Sequence, residues 1–167
     1  MKSKFTLSLL LCGLVLTGCG KKEESATAPA AATTAAPAAP AIATVEITAN
    51  DAMKFNLTRF EVAAGQDVKI IFTNLGTMPK QAMGHNLVIL KHGADAKAYA
   101  DAAVMAMATD YIPAAKADQV IAHTKLLGPK QSEEITFKAP AEAGEYPFLC
   151  TFPAHFLSGM KGVMVVK

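Results

Sequence analysis

The sequence predicts an all-β Greek-key sandwich with one inserted helix, preceded by a signal peptide and a disordered tether. Three observations carry that reading. Apolar and polar residues alternate with a period of two in short runs from residue 44 onward. Gly65, Gly76, Gly93, Gly128 and Gly144 fall between those runs as turn punctuation. Residues 95–109 depart from the pattern, being rich in Ala and Met with Tyr99, Val104 and Met105 spaced for a helix. Seven or eight short strands plus one helix suit two antiparallel layers with apolar inner faces.

The N-terminus distorts the whole-chain averages. Lys2 and Lys4 precede an apolar run over 5–16, interrupted by Thr6, Ser8 and Gly13. As helix, that run spans about 18 Å, well short of a ~30 Å hydrocarbon core. A basic start and a short apolar centre define a secretory signal, assigned to 1–18. The following Leu16-Thr17-Gly18-Cys19 resembles a bacterial lipobox. That resemblance implies cleavage before Cys19, a diacylglyceryl group on its sulfur and an acyl chain such as palmitate on its amine. Gly20 at the next position favours the outer membrane, with the domain in the periplasm or at the surface.

Cleavage changes the charge arithmetic. The 16 basic residues lose Lys2 and Lys4, which leaves 14 against 14 acidic ones. A neutral chain offers no electrostatic case for nucleic acid. Of three cysteines, Cys12 leaves with the signal and Cys19 is lipidated, so Cys150 is the single remaining thiol. No disulfide forms within such a monomer, and a lone thiol in an oxidising compartment needs protection.

Residues 19–43 are assigned to the tether. Over 25–43 there are eleven Ala, three Pro and three Thr, too little apolar bulk to fold and too many prolines for a continuous helix. Fully extended, the segment reaches roughly 75 Å. The domain proper spans 44–167. Its expected strands are 44–48, 67–72, 86–90, 119–126, 133–138, 145–149 and 162–166, with the helix at 95–109. Most of the eight methionines read as gap-filling packing.

The chemistry concentrates near the C-terminus. Cys150, His155 and Met160 bring a thiolate, an imidazole and a thioether within eleven residues, on a loop between two strands. His85, in Met83-Gly84-His85-Asn86, is the distant histidine that completes a trigonal His₂Cys set with a weak axial Met. Those softnesses suit copper, whereas structural zinc prefers four strong ligands and rarely takes a thioether. A Cys–His protease pair would leave His85 and Met160 without a role. His92, before a turn glycine, and His123, on a strand pattern, are read as non-ligands.

The folded region resembles the azurins, bacterial blue-copper members of the cupredoxin family. The resemblance rests on Asn50-Asp51, Met53 and Phe55-Asn56, on Met83-Gly84-His85-Asn86, and on Val120-Ile121-Ala122-His123-Thr124-Lys125-Leu126. Cys150-Thr151-Phe152-Pro153 and Met160-Lys161-Gly162 complete it. It implies a cupredoxin-type sandwich and one copper ion cycling between Cu(I) and Cu(II). It also implies a one-electron carrier in place of an enzyme. By position, His85, Cys150 and His155 are the strong ligands, Met160 the axial one, and Gly84 a weak backbone-carbonyl contact. Asn86 ties the two ligand loops together, and its amide and that of Phe152 hydrogen-bond the sulfur. Met78, Met83 and Phe156 are expected to surround an exposed His155 edge as a neutral docking patch. Expected partners are redox proteins such as c-type cytochromes or a copper-containing reductase or oxidase, with the membrane reached through Cys19. Copper storage or delivery is the alternative function.

Four departures stand out. Four residues, 156–159, separate His155 from Met160 where azurins have three. The azurin disulfide is missing, and Leu87 stands near the usual tryptophan in a chain without Trp. Asn74 occupies the position of a histidine linked in azurins with pH effects.

Overall fold

A computed structural model describes residues 41–167. The signal, Cys19 and nearly all of the tether therefore lie outside the described residues. No described helix is long and apolar enough to cross a membrane.

Among the described residues nine strands form two sheets. β1 (Ala43–Asn50), β2 (Lys54–Phe55), β4 (Asp67–Asn74) and β7 (Ser132–Lys138) make the first, in the order β2-β1-β4-β7. β3 (Arg59–Val62), β5 (Val88–Leu90), β6 (Val120–His123), β8 (Gly144–Leu149) and β9 (Lys161–Val166) make the second, ordered β3-β9-β8-β5-β6. β1 runs parallel to β4 in register from Ala43↔Val68 to Ala49↔Asn74, because the chain visits the other sheet as β3 between them. β7 and β8 join their neighbours antiparallel.

Period-two alternation builds the core. Val68, Ile70, Phe72 and Asn74 of β4 all point inward, and Ile47 and Ala49 of β1 join them. From the facing sheet come Ile89, Phe148, Met164 and Val166. Phe148 lies between Phe55 and Phe60, each 5.6 Å away by ring centroid. Its cross-strand partner is Gly162, where an added Cβ would meet the Phe148 ring at 2.2 Å and the Thr58 carbonyl at 2.5 Å. Only glycine leaves room for that ring.

β5 is buried on both faces. Ile89 faces the sandwich interior, while Val88 and Leu90 form a second cluster with Tyr99 and Leu149. α2 (Ala96–Ala103) covers this outer side of the sheet and starts on Asp95, whose carboxylate accepts the Lys97 and Ala98 N–H groups. The helix ends at Ala103, well before residue 109. Beyond it Val104 and Met105 find no apolar surface to cover and stand 46% and 89% exposed. The chain then tightens into a 3₁₀ turn, Met107–Thr109.

Other expectations also shift. β2 and β3 were absent from the sequence reading, since two- and four-residue edge strands with alternating charge carry little apolar signal. β1 starts at Ala43, one residue inside the expected tether, and the segment expected over 119–126 pairs as strand only at Val120–His123. Met160 and Met164 pack in the core, but Met107 is 71% exposed and, like Met105, fills no gap.

Candidate metal centre

His85, Cys150 and His155 meet at one end of the sandwich, delivered by two loops. His85 follows the short helix α1 (Lys80–Met83) and leads into β5. Its backbone is fixed by an isolated bridge: His85 N–H donates to the Leu127 carbonyl at 3.1 Å, and Leu127 N–H to the His85 carbonyl at 2.7 Å. Gly84 is fully enclosed before it. A Cβ there would come within 2.7 Å of the Lys80 carbonyl oxygen and 2.9 Å of Leu126 Cγ. Crowding selects glycine, since its φ of −67° is open to any residue.

Cys150 follows β8, and its loop returns to β9 in tight turns. His155 N–H donates to the Phe152 carbonyl at 3.1 Å, Ser158 N–H to Ala154 at 3.0 Å, and Gly159 N–H to Phe156 at 3.0 Å. Gly159 adopts φ 91°, a left-handed conformation open to glycine, just before Met160. The loop then closes on itself, with Met160 N–H to the His155 carbonyl at 3.0 Å and Cys150 N–H to the Met160 carbonyl at 3.1 Å. Met160 is fully buried in the apolar cluster that contains Cys150.

The donor atoms of His85, Cys150 and His155 lie within 4.8 Å of one another. Cys150 Sγ is 4.0 Å from His85 Nδ1 and 3.4 Å from His155 Nδ1, and the two rings are 4.8 Å apart by centroid. Exposure is 0% for His85 and Cys150 and 2% for His155. His155 thus keeps only a sliver of surface, less than the open ring edge anticipated.

Burial sets the electrostatics. It pushes the thiol up to about 12, opposed by the Asn86 and Phe152 backbone N–H groups that face the sulfur. His155 falls to about 4 through burial, reinforced by the adjacent His85. His85 is lowered for the same reason, partly offset by the Asp51 charge and the Asn50 backbone. Without metal, burial keeps the thiol and both imidazoles neutral. Two imidazole nitrogens and a thiol converge on one point where water cannot satisfy them. A cation that displaces the thiol proton turns this set into the His₂Cys donor array suited to copper.

Outside the donors, Asn86 spends its whole side-chain amide on the second loop and its surroundings. Its Oδ1 accepts the Thr151 N–H at 2.8 Å; its Nδ2 donates to Thr151 Oγ1 at 2.7 Å and to the Asp110 carbonyl at 3.0 Å. Thr151, which the motif includes without a role of its own, is the other half of this clasp. Asp51 was also missed as a support. Its carboxylate accepts the Thr77 N–H at 2.8 Å and hydroxyl at 2.9 Å, which pins the segment ahead of α1 and holds its pKa below the usual range. Asn74 is buried, accepts the Gly76 N–H at 2.8 Å and donates to the Leu127 carbonyl at 3.2 Å. Leu87 is likewise buried where azurins carry tryptophan.

The expected docking residues differ in exposure. Met78 is 41% exposed and Met83 half-buried. Phe156 packs against the Val88–Tyr99 cluster under α2, with the Lys161 ammonium 4.5 Å above its ring. Its neighbour Leu157 stands out at 74% exposure. His92, at the far end, hydrogen-bonds the Glu145 carbonyl, and His123 is exposed; neither approaches the donors.

A family model for copper-binding proteins of the plastocyanin/azurin family matches residues 41–167. The chain belongs to that family. It is 34% identical over 123 residues to azurin of Alcaligenes faecalis, a match covering 72% of this chain and 94% of that protein. It is 43% identical over 115 residues to outer membrane protein H.8 of Neisseria meningitidis, covering 68% of this chain but only 61% of the relative. Among solved structures, dithionite-reduced auracyanin of Roseiflexus castenholzii superposes with a TM-score of 0.67 at 43% identity, over 74% of this chain and 96% of that one. Family and donor set together assign one copper ion to the cluster of His85, Cys150 and His155.

Proposed function

We propose that the chain is a one-electron carrier of the azurin type, held at a bacterial envelope by lipidated Cys19. The observation that carries the electron-transfer reading is the convergence of His85, Cys150 and His155, all at or below 2% exposure, on one point. Copper bound there supplies a Cu(II)/Cu(I) couple. Met160 and the Gly84 carbonyl would add weak contacts to the three strong donors. The chain's part is to hold the donors still and keep water out. The Asn86–Thr151 clasp and the loop's closing hydrogen bonds fix both ligand segments, so the donor set need not rearrange when charge changes. Outer-shell bonds of this kind tune affinity and potential.

Electrons pass through the sliver of His155 that reaches the surface. Exposed Met78 and Leu157, with half-buried Met83, supply apolar surface for transient docking with a c-type cytochrome or a copper-containing reductase or oxidase, while Phe156 stays packed under α2. Such exchange suits a small contact better than a large interface. Storage or delivery would need ready release, which enclosure of all three donors opposes.

The short apolar N-terminus and Leu16-Thr17-Gly18-Cys19 support the anchor. Likeness to a protein named for the outer membrane supports that location. Stopped-flow mixing with a reduced c-type cytochrome tests the carrier role. Rapid bleaching of a visible copper band, absent in Cys150→Ser, is expected; a copper-loaded protein that does not accept electrons contradicts it. Membrane fractionation tests the anchor, with Cys19→Ser expected in the soluble fraction.

A further inference from the structure

Asp110 and Tyr111 are consecutive non-glycine residues in the left-handed region, at φ 55° and 64°. Side chains disfavour that conformation, and Tyr is far less tolerant of it than Asp. Such a pair persists only where its surroundings hold it, and here those surroundings are the two ligand loops. We infer that the Asp110–Tyr111 corner is a positioning device for the copper site, gripping the His85 loop with one residue and the Cys150 loop with the other. The inference rests on the copper reading above.

Asp110 acts on the first loop. Its carbonyl accepts Asn86 Nδ2 at 3.0 Å, the one bond of the Asn86 amide that does not go to Thr151. That bond fixes which way the amide lies, with its oxygen toward the Thr151 N–H. The Asp110 carboxylate accepts the Leu126 N–H at 3.3 Å and lies 3.6 Å from the Lys80 ammonium. Leu126 and Lys80 are the two residues that wall in Gly84 beside His85.

Tyr111 acts on the second loop. Its ring is buried and meets Phe152 edge-on at 5.2 Å, and Phe152 lies 4.7 Å from the His155 ring. Phe152 also supplies one of the two backbone N–H groups facing the Cys150 sulfur. The corner itself is tied back to its own turn, with Tyr111 N–H to the Ala106 carbonyl at 2.9 Å and Asp110 N–H to Met107 at 3.2 Å. One rigid turn thus touches the residue that orients the thiolate's surroundings on one side and the ring that supports His155 on the other.

The test compares Tyr111→Leu, Asp110→Ala and Asp110→Asn with Tyr146→Leu, a buried tyrosine of the other end whose hydroxyl donates to the Glu142 carbonyl. Ala and Asn remove the same charge, but Asn tolerates the left-handed conformation and keeps an acceptor for the Leu126 N–H. Two readouts are taken. In the metal-free chain, the Thr151 amide should exchange with solvent about tenfold faster, relative to core amides, in Tyr111→Leu and Asp110→Ala, as expected for loosening one buried hydrogen bond. In the copper-loaded chain, the reduction potential and the intensity ratio of the visible bands should shift in the same two variants. Asp110→Asn should restore both readouts, and Tyr146→Leu should move neither. Unchanged Thr151 exchange and an unchanged potential in Tyr111→Leu and Asp110→Ala would overturn the inference. So would shifts of the same size in Tyr146→Leu. Because the exchange readout needs no copper, it judges the corner even if the loaded wild type shows no visible band, a result that would instead count against the copper reading.

Discussion

Two histidines, one at each end of the sandwich, show what makes a ligand. His92 is exposed, with its Nδ1 2.9 Å from the Glu145 carbonyl and its ring 5.7 Å from Tyr146. His155 is buried, and its Nδ1 faces a thiol at 3.4 Å with no carbonyl to engage it. At the His92 end, protein and solvent already satisfy the ring. At the His155 end, desolvation strips the ring of water and leaves its lone pair aimed at other donors. The contrast teaches that the site is made by the withholding of competing partners as much as by the choice of residue. Breaking the clasp around the buried end should therefore cost far more than any change at the exposed end.

The largest effect is expected from Asn86→Ala. It leaves the Thr151 N–H, the Thr151 hydroxyl and the Asp110 carbonyl without their partner, a loss of about 3 to 5 kcal/mol. Denaturant unfolding of the metal-free domain reads this directly. Copper affinity should fall about 10- to 100-fold, in line with other outer-shell losses.

Acid comes next. In the unfolded chain the histidines titrate near 6.5. Folded, His155 is lowered to about 4 and His85 is lowered as well. Between those values the unfolded state binds more protons, so the histidine contribution to metal-free stability should fall as pH drops from 6.5 towards 4 and level off below. His155 alone contributes about 2 to 3 kcal/mol to that fall. Thermal melts across the window, compared with His155→Gln, would measure it; a flat profile would mean the ring is solvated. Asn74, which carries no ionisable group, adds nothing to this response.

Gly84→Ala should be milder, at about 1 to 2 kcal/mol, because the carbonyl of Lys80 and the Leu126 side chain must shift to admit a methyl group. His92→Ala is the control. It removes one exposed hydrogen bond and should change stability by less than about 1 kcal/mol while the copper spectrum stays as in wild type. A large spectral change there would dissolve the contrast between the two ends.

Much of this contrast was legible in the sequence, because both the strands and the ligands obey local rules. Alternation in residues 67–72 marks β4, and the spacing of Cys150, His155 and Met160 marks a metal loop wherever it sits. What escaped depends on contacts distant in sequence. β2 and β3 exist only because neighbouring strands pair with them. α2 stops at Ala103, and Met105 beyond it is exposed. The depth of His155 follows from packing of both loops, and nothing in Asp110-Tyr111 as letters announces two left-handed residues.

The most direct test of the account is addition of Cu(II) to the domain comprising residues 41–167, which contains both hydrophobic clusters. The visible spectrum should develop an intense thiolate-to-copper band at one equivalent, and Cys150→Ser should lack it. A wild-type domain that stays colourless, or a band that survives in Cys150→Ser, would contradict it.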